Sequence, residues 1–137
     1  METHIAFTHA PIVIPAPVLP SREIGACVEF SGLVRATEGA QTLAGLHYEA
    51  YEPMARTQLT RIFAELHAAH PCAAVHFIHR LGWVPVGEAS LYLRVLAAHR
   101  GTALRFLAAA IDRMKADVPI WKRASPTDRP PASARSG

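Results

Sequence analysis

Lysine is nearly missing from this chain. Of its 137 residues 14 are lysine or arginine, and only Lys115 and Lys122 are lysine, the other 12 being arginine. Arginine carries surface charge and pairs with carboxylates and phosphates at least as well, so the bias excludes a general electrostatic need for lysine. What lysine alone offers is an ammonium that can lose its proton when desolvated, and so can act as acid, base or nucleophile. The plainer alternative is two ordinary surface lysines in an arginine-rich composition. Against it stands their clustering: they lie seven positions apart, around Pro119 and Trp121 rather than in a polar run.

Cysteine is also scarce. Cys27 and Cys72 are far apart and in no CxxC pattern, which excludes a disulfide framework and points to a reducing cytoplasm. Cys27, in the middle of an expected strand, is read as core rather than nucleophile. No apolar run approaches the roughly 20 residues that span a bilayer, so no membrane partner is expected. No signal peptide is expected either, because the start lacks a basic stretch and prolines interrupt residues 11–20. Half the residues are hydrophobic and 18% charged, a composition for one globular domain large enough to bury a core.

Several motifs are missing too. Without a glycine-rich phosphate loop, nucleophile elbow or dinucleotide fingerprint, the common cofactor classes drop out and no cofactor is expected. The eight histidines form no metal set: His76 and His79 are three apart on a strand and face opposite sides, while His67 and His70 share a helix face with nothing to complete a zinc site. The net charge of +3 and pI near 9.2 suit an anionic ligand. A basic block or stripe is absent, so a small anion is favoured over nucleic acid. An RNA-binding domain would rest on pI alone, with no aromatic stacking motif to support it.

What is present reads as alternating and helical segments. A strand is expected around Ile5 to Thr8, then a proline-studded lead-in over 11–20 that cannot be a regular helix. Gly25 to Arg35 alternates as a strand, 36–41 is a polar turn, and Thr42 to Tyr51 is a second strand, the two forming a hairpin. From Glu52-Pro53 the period becomes helical, with Leu59, Ile62, Phe63, Leu66 and Ala69 as the buried stripe and Pro71 beyond the end. Ala73 to Leu81 is a strand, 82–87 a loop and Glu88 to Ala98 a further strand. Gly101 to Ala116 is the second helix, its stripe Leu104, Leu107, Ala108, Ile111 and Met114. Lys115 falls in its last turn, where a cation complements the helix dipole. Val118 is extended because it precedes Pro119, so Lys122 follows on an extended segment that folds back towards Lys115. The order implies an α+β domain over 1–123 with a mixed or antiparallel sheet and two long helices. Residues 124–137, rich in Pro, Ser and Ala, are expected to be a mobile tail.

Arg35, His79-Arg80 and His99-Arg100 all fall at strand ends, where side chains leave the sheet and can line a cleft. Guanidinium forks and imidazole N–H groups suit phosphate or carboxylate, and could steady an oxyanion in acyl or thioacyl transfer. The alternative is that strand ends are simply polar.

These motifs, taken in order, resemble the large, catalytic subunit of molybdopterin synthase. The likeness runs through Gly25 and Phe30 to Arg35, Leu46 to Ala55, His79 to Gly82, Val86 to Glu88, Ala98 to Arg100 and Lys115 to Arg123, covering about residues 25–123. The resemblance implies a hammerhead-type α+β fold and a homodimer with a ubiquitin-like small subunit at each end, whose C-terminal thiocarboxylate enters a pocket of the large subunit. Sulfur would pass to cyclic pyranopterin monophosphate to build the dithiolene of molybdopterin. By the family pattern Lys115 and Lys122 carry catalysis, while Arg35, His99 and Arg100 hold the substrate. The family usually has a glutamate where this chain has Ala124, and a different tail from Pro130-Pro131 onward, so Arg129 and Arg135 receive no role. A paralogue that dimerises and docks its partner without turnover is the alternative, opposed by retention of both lysines.

Overall fold

The computed structural model describes residues 1–126. The elements run β1 (Glu2–Thr8), β2 (Ala26–Leu33), β3 (Thr37–Glu38), β4 (Gln41–Thr42), β5 (Gly45–Ala50), α1 (Glu52–Ala69), β6 (Ala74–Arg80), β7 (Gly82–Pro85), β8 (Ala89–Ala97), α2 (Arg100–Asp117) and β9 (Ile120–Ser125). A four-stranded sheet has the order β1, β6, β8, β2, with β1 parallel to β6 and the other neighbours antiparallel. α1 lies against β1, α2 against β2 and β8, and the helices touch each other. This is the expected α+β class.

Helical and strand periodicities meet in one core. Leu59, Ile62 and Phe63 of α1 and Phe106, Leu107 and Ala110 of α2 close onto Val75 and Phe77 of β6 and Leu93 and Val95 of β8. Each large side chain so buried contributes about 1.5–3 kcal/mol. β8 is central and buried on both faces: Ser90, Tyr92, Arg94 and Leu96 also lie under cover. The proline-rich lead-in reaches that second face, where the Pro15 carbonyl accepts a hydrogen bond from Arg94 Nη1 at 2.6 Å.

Several expectations need correction. The buried stripe of α2 is Ala103, Phe106, Leu107, Ala110 and Met114, and Leu104 is 51% exposed. In an alanine-rich helix the apolar residues suit more than one face, and here the small ones, Ala103 and Ala110, are fully buried. Likewise Ala55 rather than Ala69 belongs to the buried face of α1. Cys27 is exposed on the outer face of β2, because Ala26, Val28 and Phe30 take the core side.

The hairpin of β2 with β5 does not form. β5 is the centre of a separate three-stranded sheet in the order β7, β5, β9, and the stretch expected as a loop supplies β7. Alternation identifies a strand but not its neighbour. The register of β2 against β8 shifts at Gly32/Leu33; beyond it the polar turn makes its own small ribbon of β3 and β4. Glycine matters at two places here. Gly82 turns the chain from β6 into β7 at φ +80, and a Cβ on Gly45 would lie 2.5 Å from the Val84 carbonyl oxygen.

The strand β9 also continues past the expected domain boundary. Ala124 pairs with Leu46 and Ser125 with Gly45, so these two residues are sheet rather than tail; of the rest of that tail, residues 127–137 lie outside the described residues. Among the described residues no helix is long and apolar enough to cross a membrane.

Candidate active site

A cavity of about 830 Å³ opens where the end of β2, the last turn of α2, the ribbon and the three-stranded sheet converge. The kink at Gly32/Leu33 carries β2 out of the four-stranded sheet. Val34 then drops into a second apolar cluster with Leu43, Leu46 and Val84, and Arg35 emerges at the rim. Two backbone bonds hold that crossing, Val34 N–H to the Glu88 carbonyl at 3.0 Å and Gly87 N–H to the Val34 carbonyl at 2.8 Å.

The lysines arrive from the other side. α2 stops because Pro119 forces Val118 out of the helical region, to φ -89 and ψ 133. The Pro119 carbonyl accepts from Tyr51 N–H at 3.2 Å, and β9 then runs antiparallel to β5 with Lys122 opposite Tyr48. Helix end, proline turn and strand together place Lys115 and Lys122 on two walls of one cavity. Both are exposed in the isolated chain, so the desolvation expected for them is not supplied by this chain's described residues alone. Lys122 Nζ donates to Glu38 Oε1 at 2.7 Å. That partner sits on the ribbon, in a polar turn that carried no chemical signal in the sequence.

The five expected site residues separate into two groups. Arg35, Lys115 and Lys122 line the cavity; His99 and Arg100 do not. His99 is the N-cap of α2 and Arg100 its first residue. Fifteen helical positions separate Arg100 from Lys115, about 22 Å along the axis.

The His79-Arg80 pair behaves differently from a cationic strand end. Consecutive strand residues face opposite sides. Arg80 turns away to pair with Glu88 at 2.7 Å, while His79 turns into the cavity wall. Burial pushes the His79 imidazole down to about 4, partly opposed by its hydrogen bond to the Arg80 carbonyl. It is neutral at pH 7 and adds no positive charge. Its ring packs edge-on against Tyr48, the centroids 5.0 Å apart. Tyr48, Glu38 and the neutral state of His79 are what the sequence did not reveal; the first two acquire meaning only from the pairing of β5 with β9 and the fold-back of the ribbon.

Other residues can be set aside. Although Cys27 is exposed, the partial desolvation of its thiol and then the Glu29 carboxylate raise its pKa, partly opposed by Arg94, which disfavours the thiolate a nucleophile needs. His67 Nδ1 accepts from the Cys72 backbone N–H at 3.1 Å, work at a helix terminus. Ala124, two residues beyond Lys122, packs on the second apolar cluster and does not line the cavity.

Chemically the site can draw an anion to one guanidinium and two ammonium groups over an apolar floor. It can also offer protons to a developing negative charge.

Comparison with known proteins shows what the chain is similar to. The family described as MoaE protein matches residues 7–117. A molybdopterin synthase catalytic subunit of Oryza sativa subsp. indica is 42% identical over 99 residues, 72% of this chain and 51% of that protein. One of Homo sapiens is 40% identical over 99 residues, 72% of this chain and 53% of the other. The chain thus spans about half the length of these curated relatives. The crystal structure of molybdopterin synthase from Staphylococcus aureus superposes with a TM-score of 0.78 at 30% identity, covering 90% of this chain and 91% of that one.

Proposed function

The chain belongs to the MoaE protein family, and from that premise we propose that it is the catalytic subunit of a molybdopterin synthase. It takes sulfur from the thiocarboxylated C-terminus of a ubiquitin-like small subunit and passes it to cyclic pyranopterin monophosphate, forming the dithiolene of molybdopterin in molybdenum cofactor biosynthesis. The observation that carries this reading is the convergence of Arg35, Lys115 and Lys122, from three separate elements, on one cavity.

The chemistry asks little else of the protein. The sulfur arrives on the partner, so neither a cysteine nucleophile nor a metal is required of this chain. Arg35 holds the substrate's phosphate through charge-assisted hydrogen bonds. Lys115 and Lys122 face the thiocarboxylate carbonyl, where an ammonium stabilises the oxyanion and supplies a proton, and where a desolvated amine can instead capture the carbonyl carbon. Filling the cavity with the partner's C-terminus and the substrate removes the water that now reaches both lysines.

His99 and Arg100 join this substrate-holding set only from a second copy of the chain, given their distance from Lys115. A homodimer supports that role. Val13 and Val18 of the lead-in are 81% and 83% exposed, and β2 is a free sheet edge, so apolar surface and unpaired backbone are available to a partner. The assembly acts in the cytoplasm, where free Cys27 and Cys72 stay reduced. The test is direct: the chain, mixed with thiocarboxylated small subunit and cyclic pyranopterin monophosphate, should yield dithiolene product. A chain that binds the small subunit and yields none is a docking paralogue.

A further inference from the structure

The charged groups of the cavity are mostly donors. Arg35, Lys115 and Lys122 can only donate, and the Glu38 carboxylate is engaged by Lys122 at 2.7 Å. Hydroxyls of Ser31, Thr37, Tyr48 and Ser90 also line it and can accept as well as donate, but among the described lining residues His79 is the one whose acceptor is a nitrogen of a fixed ring. Only 4% exposed, it is fixed by three contacts: its ring meets Tyr48 edge-on at 5.0 Å, lies tilted on Phe77 at 6.2 Å, and has Nδ1 2.8 Å from the Arg80 carbonyl oxygen. A carbonyl only accepts, so the ring proton resides on Nδ1 and the lone pair on Nε2. Among the described residues none donates to Nε2, and the side chain forms part of the cavity wall, where Nε2 is not sealed from solvent. Water in the cavity can serve Nε2 in the free chain, because it is not one of the sealed unpartnered atoms, and a ligand that displaces that water has to replace its hydrogen bond. The cavity is thus matched to a ligand that brings the donor.

We propose that His79 is a specificity-determining residue whose Nε2 accepts a hydrogen bond from an N–H or O–H of the anion held by Arg35 and the lysines. The inference rests on the cavity being the sulfur-acceptor site. A reduced pterin phosphate has the required chemistry, pairing a phosphate for the cations with ring N–H and amino donors for the imidazole. A bare phosphate has only the first. Tyr48 keeps the ring in place and stands opposite Lys122 across β5 and β9, so the acceptor lies beside a catalytic lysine rather than remote from it. The imidazole is held well below neutrality by burial, which makes it a poor proton carrier at pH 7. Its task is positioning.

Two substitutions separate this from a structural role. His79→Asn keeps an N–H near the position of Nδ1 and lacks the Nε2 acceptor, whereas His79→Gln reaches the position of Nε2 with an amide oxygen. Binding of cyclic pyranopterin monophosphate, measured by titration calorimetry, should weaken about 5- to 10-fold in His79→Asn and recover largely in His79→Gln. Inorganic phosphate should bind both variants and the unmodified chain alike. In turnover the Asn variant should raise KM for the pterin with kcat nearly unchanged. Unchanged pterin affinity in His79→Asn would overturn the inference while leaving the proposed function standing, and so would equal loss of pterin and phosphate binding in both variants. An unmodified chain that does not bind the pterin would overturn the proposed function itself, and this inference with it.

Discussion

Among the described residues eighteen buried ones make the cluster between the helices and the four-stranded sheet, whereas four make the cluster under the three-stranded sheet. The larger one is built from long segments, each amphipathic in its own right, and its residues can hardly be changed without cost. The smaller is assembled from short segments that carry Val34, Leu43 and Leu46, with Val84 joining from β7. Their packing forms one wall of the cavity that receives Arg35 and Lys122. Most of the buried core lies in the first region, and the candidate site lies at its junction with the second.

That division can be broken by paired truncations. Phe106→Ala, in the large cluster, should cost about 3–5 kcal/mol in chemical denaturation. Leu46→Ala should fall near about 2 kcal/mol, the low end of the range for leucine, because the small cluster can relax into the cavity. Turnover per folded molecule should nevertheless drop in Leu46→Ala and hold in Phe106→Ala. Equal stability costs with equal turnover would show that the two regions are not distinct in this way.

Acid sharpens the comparison at His79, which belongs to both regions. Its imidazole takes up a proton near 6.5 in the unfolded chain but only near 4 when folded, because burial disfavours the charged ring. Between those values the unfolded chain binds the extra proton. The contribution is therefore complete above about pH 6.5 and is lost as pH falls towards 4, amounting to about 3 kcal/mol. His76 is shifted downward too, by burial, Arg94 and His4, and leaves a residual slope. Denaturation of His79→Asn across this window should show a flatter profile than the unmodified chain; equal steepness would place the acid sensitivity elsewhere.

Smaller effects belong to the rim. Arg35→Ala should weaken pterin binding by about 1.5–3 kcal/mol, as expected for a charge-assisted hydrogen bond, with small-subunit affinity unchanged. Equal loss of both affinities would make Arg35 structural. The Glu38 and Lys122 pair is about half exposed, so Glu38→Gln should change stability by less than about 1 kcal/mol. Its measurable consequence is tighter phosphate binding by a released Lys122, readable by calorimetry. Weaker phosphate binding would mean that Glu38 holds Lys122 in its working position.

Legibility in the sequence followed the same division. Alternation in β2 and the 3.6-residue period of α1 are local properties, and so both were readable, as were the stop at Pro119 and the return of Lys122 towards Lys115. The α2 stripe was rotated by one position, because alanines mark no face. The partners of β5 were hidden, since strand pairing is decided by segments some 75 residues apart, such as Tyr48 and Lys122, and with them went the roles of Tyr48 and Glu38. His79 was read as a strand-end N–H donor to an anion, because the sequence does not show how deeply a strand end is buried. His99 and Arg100 were placed with Arg35 as strand-end groups and by the family resemblance, while the length of α2 keeps them away from the cavity within one chain.

The central claim is that the two lysines gathered at this cavity do what arginine cannot. Lys115→Arg retains the positive charge at a surface-exposed helical position, so folding and small-subunit docking should survive. Single-turnover sulfur transfer to cyclic pyranopterin monophosphate should fall at least about 10²-fold, because a guanidinium serves neither as base nor as nucleophile, with Lys122→Arg milder. Near-normal transfer by Lys115→Arg would contradict the account and reduce Lys115 to a fixed positive charge.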